Sequence, residues 1–526
     1  MMTPNWSTYQ HHLLSYWHDH FDRERTVKAT ASPEIRSLLP IDRQSRLSLQ
    51  QQIYDGIRNA ILTRLLRAGQ RVPSTRALTA DLGVSRLPVL AAYDQLLHEG
   101  YLEGRIGSGT FVSASLPDDA LRSISPSATQ SVQSTKRSPL NTASVERLRV
   151  LPPRMRDDGG TRPFRVSLPA LDQFPRTVWS RLVARHAHAL SPARMAYSDP
   201  AGLGSFRSAV AQHLRTARAV RCEAEHVLVV SGSQAALCIC AMVLLKRNDV
   251  VAMEEPGYSG ARAALATSGA IPAPVRIDRD GIDVTALRAL GSKVRAAYVT
   301  PSHQYPTGTA MTATRRLELL EWAAQHYAWI LEDDYDSEFR YVSRPLGSLQ
   351  GMDANERVIY IGTFSKVLFP SIRVGYIVVP PSLWTDFVAA RETLDIFSPT
   401  LYQLALRDFI REGHFARHLR RMRALYLRRR AALLQGLDEH CSEHLAVHNA
   451  DAGLHVSTFL PDGFDDRAVM QSMTEHGLSG AALSTCYAGD APQSGLLLGF
   501  GGSDEATIQK ATRTLGDVLR RTPASP

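Results

Sequence analysis

The sequence lacks any apolar run long enough to cross a bilayer. Its longest, Ala235 to Leu245, falls well short of the ~20 residues that a spanning helix needs. Nor does it open on an apolar leader, because the first residues are rich in His, Asp and Arg, so neither a membrane span nor a secretory signal is expected. Cysteine is scarce. Cys222, Cys238, Cys240, Cys441 and Cys486 are odd in number and lack paired CxxC spacing, which argues against a disulfide scaffold or a zinc ribbon and fits buried thiols in a reducing cytoplasm. No strong excess of one charge is present either: a net +9 over 526 residues permits contact with nucleic acid without establishing it. What is there is the composition of an ordinary soluble globular protein, 44% hydrophobic and 21% charged. At roughly 150 residues per domain the length suggests three or four units.

Residues 1–40 have no clear period and read as an extension. From Leu49 to Leu66, Ile53, Ile57, Ile61 and Leu65 recur every four residues, as on one helical face. Ser74 caps a second run that ends at Leu82, Gly83 and Val84 break it, and Ser85 caps a third run from Leu87 to His98. Two short strands around a glycine turn follow, ending at Val112. Helix, helix, tight turn, helix and hairpin is the order of a winged helix-turn-helix, placed at 41–114. Between Ala114 and Arg162 the chain turns to Ser, Pro, Thr and Arg, the composition of a linker, placed at 115–162. From Phe164 onward helical patterns alternate with short apolar strands such as Val227–Val230, Val250–Met253, Ala296–Thr300, Trp329–Leu331, Val358–Ile361 and Tyr376–Val379. That alternation predicts an α/β domain over 163–526 with a mostly parallel sheet, followed by a smaller α+β lobe.

The stretch QQIYDGIRNAILTRLLRAGQRVPSTRALTADLGVSR, continuing through AAYDQLLHEGYLEGRIGSGTFV, resembles the winged-helix module of the GntR family of regulators. The resemblance implies that Pro73, Ser74, Thr75 and Arg76 lie near the backbone of double-stranded operator DNA. It puts Ser85 and Arg86 at the start of the recognition helix and Gly107 and Gly109 in the wing. Independently of the family, an exposed helix N-terminus offers N–H donors to phosphate and an arginine there can reach base edges, which makes Arg86 the best base-contact candidate. Leu87 and Pro88 depart from the family pattern, where small polar residues followed by Thr are usual.

A second resemblance rests on GTFSKVLFPSIRVGY, which is similar to the Schiff-base segment of fold type I pyridoxal-phosphate enzymes. It makes Lys366 the amine that links to the cofactor aldehyde, with Thr363, Ser365 and Arg373 suited to the phosphate. In LEDDYDSEF, Asp333 and Tyr335 are two apart and project to the same side of a strand end. A carboxylate there keeps the pyridine nitrogen protonated, Tyr335 approaches the ring's phenolic oxygen, and Asp334 points the other way. The turn SGSQAAL after a strand places Ser233 and Gln234 at a phosphate. By resemblance Tyr258 stacks on the ring and Tyr197 reaches a phosphate in the partner's site of a homodimer. A winged helix fused to this module resembles the MocR-type regulators, a GntR subfamily, as does HLRRMRALYLRRR from His418.

Two departures from active aminotransferases bear on function. PSHQYPTG has Tyr305 where the enzymes carry the asparagine that meets the ring oxygen. From Ala468 to Thr512 there is no arginine to grip a substrate carboxylate, and Leu497 stands in its place. Arg262 and His303 are the alternative ligand contacts. The reading that follows is a cytoplasmic transcription regulator rather than an enzyme. Its effector would be pyridoxal phosphate itself or, failing that, a small amine or amino acid. The rivals are an active aminotransferase with an accessory DNA-binding domain and a scaffold that holds no cofactor.

Overall fold

The computed structural model describes residues 39, 41–45, 47–105, 107–114, 162–341, 347–448, 451–489 and 491–522. The expected extension at 1–40, apart from Leu39, and the expected linker at 115–162, apart from Arg162, lie outside them. Backbone contacts divide the chain into two compact units, Met1–Arg137 and Ser138–Pro526. Length alone had suggested three or four.

In the first unit α1 (Leu49–Leu62), α2 (Thr75–Leu82) and α3 (Arg86–His98) precede an antiparallel hairpin of β1 (Leu102–Arg105) and β2 (Gly109–Val112). Ile53, Ile57 and Ile61 are buried together with Leu78, Val89, Leu96 and Val112. Leu65 is a correction, being 55% exposed. The helix stops at Leu62, Arg64 takes a positive φ of 61°, and this shift of phase sends Leu66 into the core instead. Ser74 caps α2 by accepting from the Ala77 amide at 3.1 Å, a contact worth about 1 kcal/mol. Ser85 precedes α3 without a side-chain cap bond. Gly83 ends α2 at φ +60°, where a side chain would be strained. Pro88 is the third residue of α3, where its missing N–H has no partner to lose.

The second unit is built on an eight-stranded sheet. Its strands are β3 (Val227–Val230), β4 (Val250–Glu255), β5 (Ile271–Asp278), β6 (Gly281–Ile282), β7 (Val294–Val299), β8 (Trp329–Asp334), β9 (Val358–Thr363) and β10 (Gly375–Val378). They are arranged in the order β3-β10-β9-β8-β7-β4-β5-β6. The β9-β8-β7-β4-β5 run is parallel, and β10 opposes both of its neighbours. Strand β3 is apolar at every position because both faces are covered. Leu228 and Val230 pack with α4 (Ser233–Leu244), while Val227 and Val229 join the core on the other face. A smaller antiparallel sheet contains β11 (Ala446–His448), β12 (His455–Phe459), β13 (Ala481–Ala482) and β14 (Gly495–Gly499) in the order β11-β12-β14-β13. The long helix α5 (His414–Cys441) and the C-terminal helix α6 (Glu505–Arg521) pack together, and one core joins Val229 and Tyr360 of the large sheet to Tyr426, Leu498 and Leu515. That shared core is why the second unit does not divide. Among the described residues no helix is long and apolar enough to cross a membrane.

Candidate functional site

The C-terminal ends of the parallel strands converge on a cavity of about 700 Å³, within the range of small-molecule sites. Strand β8 delivers Asp333 and Tyr335 to its wall, the turn after β9 delivers Lys366, the turn after β3 delivers Ser233, and the loops after β4 and β7 deliver Tyr258 and Tyr305. Six residues scattered from Ser233 to Lys366 are thus brought together because successive parallel strands all end on one edge.

The Lys366 amine donates to the Ser167 carbonyl at 3.3 Å. Behind it, Nε2 of the buried His418 on α5 bonds the Val367 carbonyl at 2.9 Å, and burial pulls that imidazole down to about 4, so it serves as a neutral brace for the lysine turn. The basic sequence HLRRMRALYLRRR therefore contains at least one structural contact to the site. Asp333 Oδ2 accepts from the Tyr298 hydroxyl at 2.9 Å, whereas Oδ1 is buried without a partner. Burial pushes this carboxyl up to about 7, against the Tyr298 hydroxyl and the Lys366 charge. Asp334 points the opposite way, as strand alternation requires, into a buried ion pair with Arg218 at 2.8 Å.

The Ser231-Gly232-Ser233 turn opens α4 with Gly232 at φ +99°, and the Arg373 guanidinium lies 3.2 Å from where a Cβ on that glycine would stand. Arg373 also donates to the Ser231 carbonyl, and Ser365 Oγ is buried with no partner. A helix N-terminus, a guanidinium and an unpartnered hydroxyl form a cradle for phosphate, and the orphaned Asp333 oxygen suits a protonated ring nitrogen. The residues present therefore fit pyridoxal phosphate.

Other expected residues lie off the cavity wall. Gln234 donates to the Gly260 carbonyl at 2.9 Å and meets the Tyr258 hydroxyl at 3.4 Å, so it supports Tyr258. Thr363 Oγ1 accepts from the Ser365 amide at 3.2 Å and shapes the turn. Tyr197 stands outside the cavity, 84% exposed. Arg262 is committed to Glu255 at 3.0 Å and to the Cys486 carbonyl at 3.2 Å. His303 is held by Asp336 and Tyr335. Leu497 is fully buried and packs with Val166 and Tyr305, filling with hydrocarbon the place where the enzyme arginine is expected. Sequence reasoning missed Arg165, which lines the cavity two residues before Ser167. It also missed Tyr298 and Asp336. Arg165 and Tyr298 belong to no recognisable motif, whereas Asp336 stands inside LEDDYDSEF, one residue after Tyr335, and was passed over there.

In the first unit Ser74, Arg76, Ser85, Arg86, Gly107 and Gly109 are exposed and Pro73 and Thr75 half-buried. The wing turn closes through the Ser108 amide and the Arg105 carbonyl at 3.0 Å, with Gly107 and Gly109 at φ +75° and +109°. Arg71, which no motif had marked, lies across Gly109, its Nε 3.0 Å from where a Cβ would stand.

Residues 49–112 match the family of bacterial regulatory proteins called gntR, and residues 166–511 match the class I and II aminotransferases. A probable rhizopine catabolism regulatory protein, MocR of Rhizobium meliloti, is 38% identical over 91% of this chain and 95% of its own length. The chain belongs to the MocR-type regulators. The pyridoxine biosynthesis regulator PdxR of Corynebacterium glutamicum is 32% identical over 90% of this chain and 96% of its own. Among solved structures, the α-aminoadipate aminotransferase LysN of Thermus thermophilus superposes with a TM-score of 0.66 at 27% identity, over 72% of this chain and 96% of that one. This MocR-type protein is thus a DNA-binding transcription regulator whose second unit has the fold type I architecture and whose cofactor is pyridoxal phosphate.

Proposed function

We propose that the protein is a cytoplasmic homodimer that senses pyridoxal phosphate at Lys366 and converts occupancy into a change in operator binding, with no amino-acid turnover. The observation that carries this reading is Leu497: transamination of an α-amino acid needs a fixed cation for the carboxylate, and an apolar plug occupies that place. In this reading Ser233, Ser365 and Arg373 bind the phosphate, Asp333 holds the ring nitrogen's proton, and Tyr258 and Tyr335 orient the ring. Gln234 and Thr363 act from behind, and Tyr305 takes the place of the missing asparagine. The bound cofactor supplies an aldehyde for covalent linkage to the lysine. The exposed Tyr197 serves the partner subunit's site. A relative named for pyridoxine biosynthesis supports a role in vitamin B6 metabolism. Titrating operator DNA with cofactor-stripped protein, with and without pyridoxal phosphate, tests this: affinity or transcription should differ between the two states, and identity in both rejects it.

A second reading is favoured by Arg165, because a cavity of this volume with a guanidinium in its wall also suits a small amine that carries an anionic group. Addition of such amines to the cofactor-loaded protein should then change operator binding further.

For the DNA contact, Pro73 to Arg76 and the wing glycines bring backbone amides to phosphate. Arg86 and the neighbouring Leu87, 76% exposed, face base edges, the leucine suiting a thymine methyl. Affinity should fall steeply as salt rises. Arg86→Ala should cost about 1–3 kcal/mol on the specific site and much less on random DNA, as read by competition binding.

A further inference from the structure

The hydroxyl of Tyr335 is not alone at the cavity wall. It stands 2.9 Å from Nδ1 of His303, and the same Nδ1 stands 3.0 Å from Oδ1 of Asp336. Both partners of the His303–Asp336 pair are 2% exposed, and Nε2 of His303 is buried without a partner. The pairing is tightly built: Gly453, at φ +76°, passes so close that a Cβ there would come within 2.1 Å of the imidazole and 2.6 Å of the carboxylate.

One nitrogen facing two oxygens fixes the hydrogens. An ionised carboxylate can only accept, so Nδ1 must carry a hydrogen; two lone pairs at 3.0 Å would repel. This holds for the neutral Nδ1–H tautomer and for the imidazolium alike. Tyr335 then cannot donate to Nδ1. It accepts instead, and its own hydrogen is left available to a partner in the cavity that Tyr335 lines together with Asp333 and Lys366.

We infer that Asp336 and His303 are positioning residues: they orient the Tyr335 hydroxyl as a donor into the cavity, and so set how readily the Lys366-linked cofactor gains or loses its proton. The inference rests on the reading of Tyr335 as the residue at the ring's phenolic oxygen. A donor to that oxygen stabilises its anionic form and competes with the imine nitrogen for a proton, so it lowers the pH at which the cofactor's visible band titrates. The other titratable groups facing the pair are His455, Tyr341 and Asp333, and Tyr305 and Glu254 face the Tyr335 hydroxyl.

The test is a spectral pH titration of the cofactor-loaded full chain. Tyr335→Phe should raise the midpoint. Asp336→Ala frees His303 to accept from Tyr335, which turns the hydroxyl hydrogen away from the cavity, and should raise the midpoint by about tenfold in proton affinity. In the double variant the two effects should not add, because both act through one hydrogen. His303→Asn, which keeps a donor at the Nδ1 position, should lie nearer to wild type than Asp336→Ala and guards against a variant that fails to fold. A midpoint moved by Tyr335→Phe but not by Asp336→Ala, or effects that add fully, would overturn the inference alone. No movement with Tyr335→Phe would overturn the reading of Tyr335 with it.

Discussion

Lys366→Ala should abolish the visible absorbance of the bound cofactor completely, and dialysis should then remove the cofactor. Lys366 is the only lysine among the described residues that line the cavity, so among them no other amine can take over the covalent link. The loss should not come from misfolding. The turn is held by contacts the substitution leaves in place: Thr363 Oγ1 to the Ser365 amide, and His418 to the Val367 carbonyl. Truncation at a cavity wall creates little new void, so thermal unfolding of the cofactor-free variant should match that of the cofactor-free wild type. The phosphate cradle of Gly232, Ser365 and Arg373 also survives, so weak reversible binding without the band is expected in a direct calorimetric titration. Retention of the band after dialysis would sink the assignment.

Arg218→Met should destabilise the second unit by about 3–5 kcal/mol, the cost of stranding a buried carboxylate. Both side chains of the Arg218–Asp334 pair are 2% exposed, and the guanidinium also donates to Ser302 Oγ at 2.8 Å. Burial alone would raise the Asp334 carboxyl, but Arg218, together with the Ser337 and Tyr360 hydroxyls, holds it below the usual range. A carboxyl whose folded pKa lies below its unfolded one stabilises fully above the unfolded value, about 4, and loses that contribution as pH falls through the folded value. The gap between wild type and Arg218→Met should therefore be widest near neutral pH and narrow in acid. Urea denaturation at pH 7 and below pH 4 reads it, and a gap that widens in acid contradicts the assignment. Because Asp334 shares the end of β8 with Asp333, cofactor affinity should fall as well.

Much of this was legible in the chain itself, for a local reason. A helix or strand announces itself through period: Ile53, Ile57 and Ile61 recur at helical spacing, and Val227 to Val230 read as a strand buried on both faces. Alternation along β8 sends Asp333 and Asp334 to opposite sides whatever the rest of the chain does. Lys366, with Ser365 before it and Arg373 seven residues on, sits in one short loop, so its neighbours in space are also neighbours in sequence. The phase slip at Arg64 shows the limit even here, since one residue in a left-handed conformation exchanged Leu65 for Leu66 in the core.

The tertiary structure decided the rest. Whether the acids near β8 were a solvated edge or a buried pair depended on Arg218, which lies 116 residues before its partner. That Gln234 supports Tyr258, that Arg262 is spent on Glu255, and that Arg165 faces the cavity were equally beyond the sequence. A side chain's residue type fixes what it can donate or accept, but not which partner it meets. The His303 nitrogen shows this most plainly: the two oxygens it meets belong to Asp336 and Tyr335, which follow it by more than thirty residues and reach it only because β7 and β8 lie side by side in the sheet. Local periodicity determined the elements and the motif loops, whereas the partner of each polar group was decided by the packing of strands distant in sequence, which no single segment encodes.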